Sequence, residues 1–178
     1  MGMIFPIVLY GNNILRQYSQ KVKDNEDVST LISDMYETMA NADGCGLAAP
    51  QINKSIQLVV IDTSGYENPY KSDNHLVIIN PIISIPKDNS MVKLEEGCLS
   101  IPNIYYDVLR HDVINIKYYD ENWQFHDETH SGMISRMIQH ETDHLWGKLF
   151  IDYIPNYKIK QELKDIKNGY VDVKYKVI

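Results

Sequence analysis

The chain is poor in cysteine, has no long apolar run and carries no excess of positive charge. Its two cysteines are Cys45 and Cys98. Two are too few for a disulfide framework, so a reducing compartment is expected. In that setting a cysteine near histidines deserves inspection as a metal ligand. No apolar stretch approaches the length that spans a bilayer as a helix, so no membrane partner is expected. Met1 to Tyr10 is apolar, but it lacks a basic n-region and a small-residue cleavage site, and it contains Pro6. It does not read as a secretory signal, and a cytoplasmic location follows as an expectation. The formal net charge is −7. An acidic surface argues against broad, sequence-independent nucleic-acid binding, though a local basic patch remains compatible with it.

What is present is an ordinary globular composition, 44% hydrophobic and 23% charged over 178 residues. One domain covering 1–178 is expected, large enough to bury a core without disulfides. No repeat, low-complexity tract or linker interrupts it. Val28, Leu31, Ile32, Met35 and Met39 recur at helical spacing, which predicts a helix over 28–41 with Asp24 or Asp27 as cap and Gly44 beyond its end. Residues 57–62 and 76–79 read as strands. Pro81 and Pro86 make the remainder of the second an edge or irregular strand. Residues 113–119 and 123–126 flank a turn and predict a hairpin. A second helix is predicted over 132–145, ended by Gly147. A third follows Pro155, with Asn156 as cap, Ile159, Leu163 and Ile166 on one face, and Gly169 as stop. Residues 170–177 alternate like a closing strand. Strands and helices mix without a βαβ rhythm, so the expected class is α+β.

The central pattern is His140-Glu141-Thr142-Asp143-His144. Residues four apart on a helix share a face, so the two imidazoles can reach one ion. Glu141, next to the first histidine, is placed to act as general base on a water. A lone helix histidine is ordinarily a solvated residue; the whole pattern on a credible helix favours ligation. His126 and His130 are also four apart, with Glu128 between them, but they fall on strand, where that interval spans roughly 13 Å. His75 and His111 are isolated and read as surface or hydrogen-bonding residues.

Two histidines need a third protein ligand and one open position. Asp143, Asp152 and Glu128 offer oxygen. Cys98 is the better candidate, in the turn Leu94-Glu95-Glu96-Gly97-Cys98-Leu99-Ser100-Ile101-Pro102. Gly97 lets the backbone there approach a substrate closely. A thiolate beside two imidazoles suits Zn(II) or Fe(II). A third segment, Gly44-Cys45-Gly46-Leu47-Ala48-Ala49-Pro50-Gln51, follows the first helix with small residues against which a ligand backbone can lie. It lacks the Lys-Ser/Thr pair of a phosphate loop.

Taken together, GCGLAAPQ, EEGCLS and QHETDHL, in that order, resemble the three signature motifs of the peptide deformylases. The resemblance extends to Ile14-Leu15-Arg16, Ile79-Asn80-Pro81 and Gly147-Lys148-Leu149-Phe150. It implies a single α+β domain of mixed or antiparallel sheets packed around the helix that carries the histidine pair. It implies Cys98, His140 and His144 as ligands of one divalent ion, Glu141 as the catalytic carboxylate, and Gln51 with the Leu99 N–H as contacts to the formyl oxygen. Gly46 corresponds to part of the strand-like wall that receives peptide. The implied native ion is Fe(II), with Zn(II), Ni(II) or Co(II) as replacements. The implied substrates are N-formylmethionyl nascent peptides; no specific nucleic acid is expected, and docking on a ribosome through a local basic patch stays open.

Three positions depart from the common pattern. Thr142 stands where an apolar residue is usual, Cys45 where an aliphatic one is usual, and Tyr105 where many bacterial members have arginine. The tail also differs from members that end in a long helix. For the methionine side chain, Met137 and Met133 lie about one and two turns before the histidine pair and are candidate pocket residues, with Leu94 as a further wall. Plain core packing is the competing account of both methionines. A general HExxH peptidase and a non-catalytic binding protein are the competing functions. Against the first stands a sulfur ligand lying upstream of the helix. Against the second stands the complete ligand set with Glu141 and Gln51.

Overall fold

The computed structural model describes residues 2–70 and 74–178. Helix α1, Ser29–Asn41, forms where the apolar spacing predicted it. Its cap residue is Val28, and Asp27 supports the first turn through Oδ1, which accepts from the Ser29 N–H at 3.0 Å. After it run β1 Gly46–Ala48, β2 Leu58–Asp62, β3 His75–Ser84, β4 Met91–Cys98, β5 Ile101–His111, β6 Val113–Tyr119 and β7 Phe125–Ser131. Helix α2, Gly132–Leu145, carries the histidine pair, and α3, Lys160–Lys167, follows it. All pairings between these strands are antiparallel, in a five-stranded sheet ordered β1-β2-β3-β6-β7 and a separate β4-β5 hairpin. The class is α+β.

The apolar run of β2 is buried because both faces of the sheet are covered at that strand, whereas β6 and β7 alternate between buried and partly or fully exposed positions. Leu58 and Val60 pack with Ile32, Met35 and Met39 of α1. Val59 and Ile61 pack with Ile134, Met137 and Ile138 of α2. A third cluster joins the hairpin residues Ile101, Ile104 and Val108 to Phe150, Ile159, Leu163 and Ile166. Helix α2 thus touches both sheets, and everything from Ile134 to Leu145 is buried. Thr142, fully buried in that helix, satisfies its hydroxyl on the Ile138 carbonyl at 2.6 Å. Gly147 ends the helix at φ +68°, and a Cβ there would sit 2.6 Å from the Arg16 carbonyl oxygen, so the position takes glycine. Among the described residues, no helix is long and apolar enough to cross a membrane.

The irregularity expected from the prolines is present: pairing of β3 with β2 stops at Ile79, and Asn80-Pro81 sits in the register break between Ile79 and Ile82. Asn80 adopts φ +53° there and holds Val22 through both amide atoms, and Pro81 has no register partner in β2 or β6, so the break accommodates its missing N–H. Three other expectations are corrected. Strand β7 starts at Phe125, because Trp123 takes a left-handed turn conformation at φ +58°. Residues 156–158 form a short 3-10 turn and α3 begins at Lys160, although Ile159, Leu163 and Ile166 are buried as expected. The tail 170–177 is not a strand. Its alternation reflects one side on the protein and one in water, with a single bridge from Val177 to Ile7.

Candidate active site

Cys98 and Ile101 pair at the end of the β4-β5 hairpin, leaving Leu99 and Ser100 as a two-residue turn. Gly97 beside it leaves room for the exposed Tyr105 ring: a Cβ would lie 2.7 Å from its Cδ1 and push it aside. Helix α2 brings His140 and His144 up to this turn with ring centroids 5.3 Å apart. Cys98 Sγ is 3.4 Å from His144 Nε2. One ligand atom from each of Cys98, His140 and His144 lies within 4.8 Å of the others, and among the described residues no other His/Cys/Asp/Glu trio does so. A soft sulfur and two imidazoles at this separation form a site that could hold one metal ion. Burial, with the neighbouring His140 adding to it, holds His144 well below the ordinary imidazole value, in the neutral form that offers a lone pair.

Behind the trio lies a buried charged network. Glu96 Oε2 faces His140 Nδ1 at 2.9 Å, which leaves Nε2 as the ring nitrogen for an ion. The same carboxylate accepts from Arg110 Nε at 2.6 Å and from Arg136 at 2.7 Å. Burial alone would raise the Glu96 pKa, but its hydrogen bonds with His140 and Arg110 outweigh that and hold it near 2. Arg110 also donates to Asp143 at 2.8 Å, and the Tyr153 hydroxyl donates to the same oxygen at 2.9 Å. A carboxylate on the far nitrogen of a histidine ligand fixes its tautomer and its aim.

On the open side, the carboxylate of Glu141 packs against β1. A Cβ on Gly46 would fall 2.7 Å from Glu141 Cδ, so only glycine leaves room for it. Glu141 Oε2 is buried with no hydrogen-bond partner among the described residues. Burial pushes its pKa up to about 7, against the opposing pull of His140 and Arg110. An unpaired acceptor titrating near neutrality can take a proton from water and return it. Gln51 is held in place by its Oε1, which accepts from the Ala48 N–H at 2.8 Å. Its Nε2 then points to Cys98 Sγ at 3.4 Å and Ser100 Oγ at 3.3 Å.

These groups open into a cleft of about 560 Å³. Cys45, Gly46, Gly97, Leu99, Met133 and Met137 line it. Leu94 is absent from the lining; its side chain is 42% exposed elsewhere on the hairpin. Met137 is at once cleft wall and core, 6% exposed and packed with Ile134 and Ile138. The alternative oxygen ligands are all engaged elsewhere: Asp143 with Arg110, Asp152 with Arg16 at 2.6 Å, and Glu128 with His130 at 2.9 Å. His126 and His130 do lie on one strand, each facing a different oxygen of Glu128. His75 is exposed against Tyr36. The His111 carbonyl accepts from Gln139 at 2.7 Å. Reading residue types along the chain missed Glu96, Arg110, Arg136 and the tail residues 172–175, which also line the cleft. One clue was available: Glu96 and Arg110 occupy inward positions of strand-like segments, where a lone charge is not tolerated.

The family model described as polypeptide deformylase matches residues 4–160. The chain belongs to the polypeptide deformylase family. A peptide deformylase of Chlorobium luteolum is 43% identical over 98% of this chain and 93% of its own length. One from Cytophaga hutchinsonii is 40% identical over 98% of this chain and 97% of its own length. The crystal structure of the Plasmodium falciparum peptide deformylase superposes with a TM-score of 0.83 at 37% identity, covering 92% of this chain and 96% of that one. Members of the deformylase family are enzymes, and all three motif segments of the cleft lie inside the matched range. The tail that lines the cleft, 172–175, lies beyond it.

Proposed function

We propose that this chain is a metal-dependent hydrolase that removes the formyl group from the N-terminal formylmethionine of new polypeptides and releases formate. Residues 1–178 act as one catalytic domain in the cytoplasm, with a ribosome as docking partner and Fe(II) as the native ion; Zn(II), Ni(II) or Co(II) can replace it. The observation that carries this is the trio Cys98, His140 and His144 within 4.8 Å of one another, beside the buried, unpartnered Oε2 of Glu141. An orphaned acceptor beside three soft donors fits an ion and its water better than it fits plain packing.

When bound, the ion supplies Lewis acidity that lowers the pKa of water and polarises a carbonyl. The chain's own groups do the rest. Cys98, His140 and His144 would hold the ion and leave one position open. Glu141 takes the proton of the attacking water and delivers it to the amine nitrogen as the C–N bond breaks. Gln51 Nε2 and the Leu99 N–H receive the negative charge that grows on the formyl oxygen. Gly46 and Cys45 on β1, with Gly97 opposite, receive the peptide backbone. Met133 and Met137 offer flexible thioethers to the methionine side chain.

The test is formate release from formyl-Met-Ala-Ser by protein purified without oxygen, with metal analysis and an unformylated peptide as control. One ion per chain and turnover of the formyl-peptide alone is the expected result. Cleavage of the unformylated peptide would favour a general peptidase. Full metal loading with no turnover of either would favour a binding protein.

A further inference from the structure

We propose that the two ends of the described chain form a brace that positions the donors aimed at the formyl oxygen, with Tyr175 as its positioning residue. The inference deepens the deformylase reading and rests on it. The segment around Ile7–Tyr10 and the tail are zipped together: Ile7 N–H donates to the Lys176 carbonyl at 2.7 Å, Ile178 N–H to Ile7 at 2.9 Å, and Leu9 N–H to Ile178 at 2.9 Å. This unit then grips both donor-bearing segments. Val8 N–H donates to the backbone carbonyl of Gln51 at 2.8 Å, and Tyr10 N–H to that of Ser100 at 2.8 Å. From the other side of the zipper, the Tyr175 hydroxyl donates to the Leu99 carbonyl at 2.7 Å.

The two carbonyls of the Leu99-Ser100 turn are therefore each anchored from a distant end of the chain. The Leu99 N–H lies in the peptide plane before the one that carries the Leu99 carbonyl, and two soft torsions, the Leu99 φ and ψ, join the planes. Holding the Leu99 and Ser100 carbonyls fixes the far side of that joint and narrows the range open to the N–H before substrate arrives, which is what a preorganised donor requires. The tail is itself seated. Val171 and Val177 pack on the third core cluster, Tyr175 packs on the first, and Asn103 Nδ2 donates to the Asp172 carbonyl at 3.1 Å.

The test is Tyr175→Phe in the whole chain, which keeps the ring and removes the hydroxyl. With formyl-Met-Ala-Ser, kcat is expected to fall about tenfold while KM stays within about twofold, because a loosened donor costs less than a deleted one. Metal content and Tm are expected to match wild type, and amide hydrogen exchange over 98–101 in the Zn-loaded protein is expected to quicken. An unchanged kcat overturns the proposal. So does a fall in kcat that tracks lost metal or a lowered Tm, since a merely structural role would do that. If wild type itself releases no formate, the deformylase reading fails, and the exchange measurement still decides whether Tyr175 holds the turn.

Discussion

Gly46 and Glu141 meet face to face, and the missing Cβ of one is the space taken by the carboxylate of the other: a Cβ would lie 2.8 Å from Glu141 Cγ. Glycine at this point is a requirement of the carboxylate, beyond any conformational need of β1. Gly46→Ala is expected to push Glu141 off its position and lower kcat by about a hundredfold, the scale of an ångström's misplacement. Metal content should be retained, because the ligands lie on other residues. Kinetics and metal analysis on the same sample check both halves of the expectation.

Gln51 owes its aim to the Ala48 N–H that binds its Oε1 at 2.8 Å. Gln51→Ala is expected to lower kcat by two to three orders of magnitude, about 3 kcal/mol of barrier, as removal of one preorganised donor does. Metal content should stay at the wild-type level. A turnover near wild type would remove Gln51 from the site's chemistry.

Glu96 is the acidic centre of the buried network, meeting Arg110, Arg136 and His140 within 3.0 Å. Glu96→Gln leaves two guanidinium groups buried with too little negative charge. A loss of about 3–5 kcal/mol in unfolding free energy is expected from breaking such a pair. Metal affinity should fall about 10–100-fold as His140 loses its orienting carboxylate. Urea unfolding and competition with a chelator measure the two effects separately.

The acid limb of stability has a local source at the sheet edge. Glu128, against burial that would raise it, is held below its ordinary value by His130 and the Tyr118 hydroxyl; Asp120, also against burial, is lowered chiefly by His126. A carboxyl depressed in the folded state contributes stability that is complete above its unfolded value and is lost as pH falls through the folded one. The unfolded values are near 4.5 and 3.8, so the contribution is whole at neutral pH and decays below about pH 4.5. Glu128→Gln is therefore expected to show its largest Tm deficit at pH 7, with the gap to wild type narrowing below pH 4.5. A deficit independent of pH would count against the ionised carboxylate as the cause.

Legibility along the chain followed the range of the interaction. The histidine pair, Glu141, helix α2 with its glycine stop, and the apolar faces of α1 and α3 could be read because each is set by neighbours a turn or two away. Alternation in the tail misled, since period two reports a wet side and a dry side, and a partner strand is a separate condition. Pro81 was legible as a break: it sits in an irregular stretch held by Asn80, where neither neighbouring strand keeps register with it.

By itself the sequence determined the chemistry available: which side chains can donate to a metal, which helix presents two of them together, and, through its three motifs, which family it resembles. The tertiary structure alone decided that Glu96 would sit behind His140, that Gly46 would make room for Glu141, and that Tyr175 would reach Leu99 from the far end of the chain. Such contacts depend on packing between elements distant in sequence. No local propensity encodes them, because the burial that makes each one obligatory exists only once the core has closed.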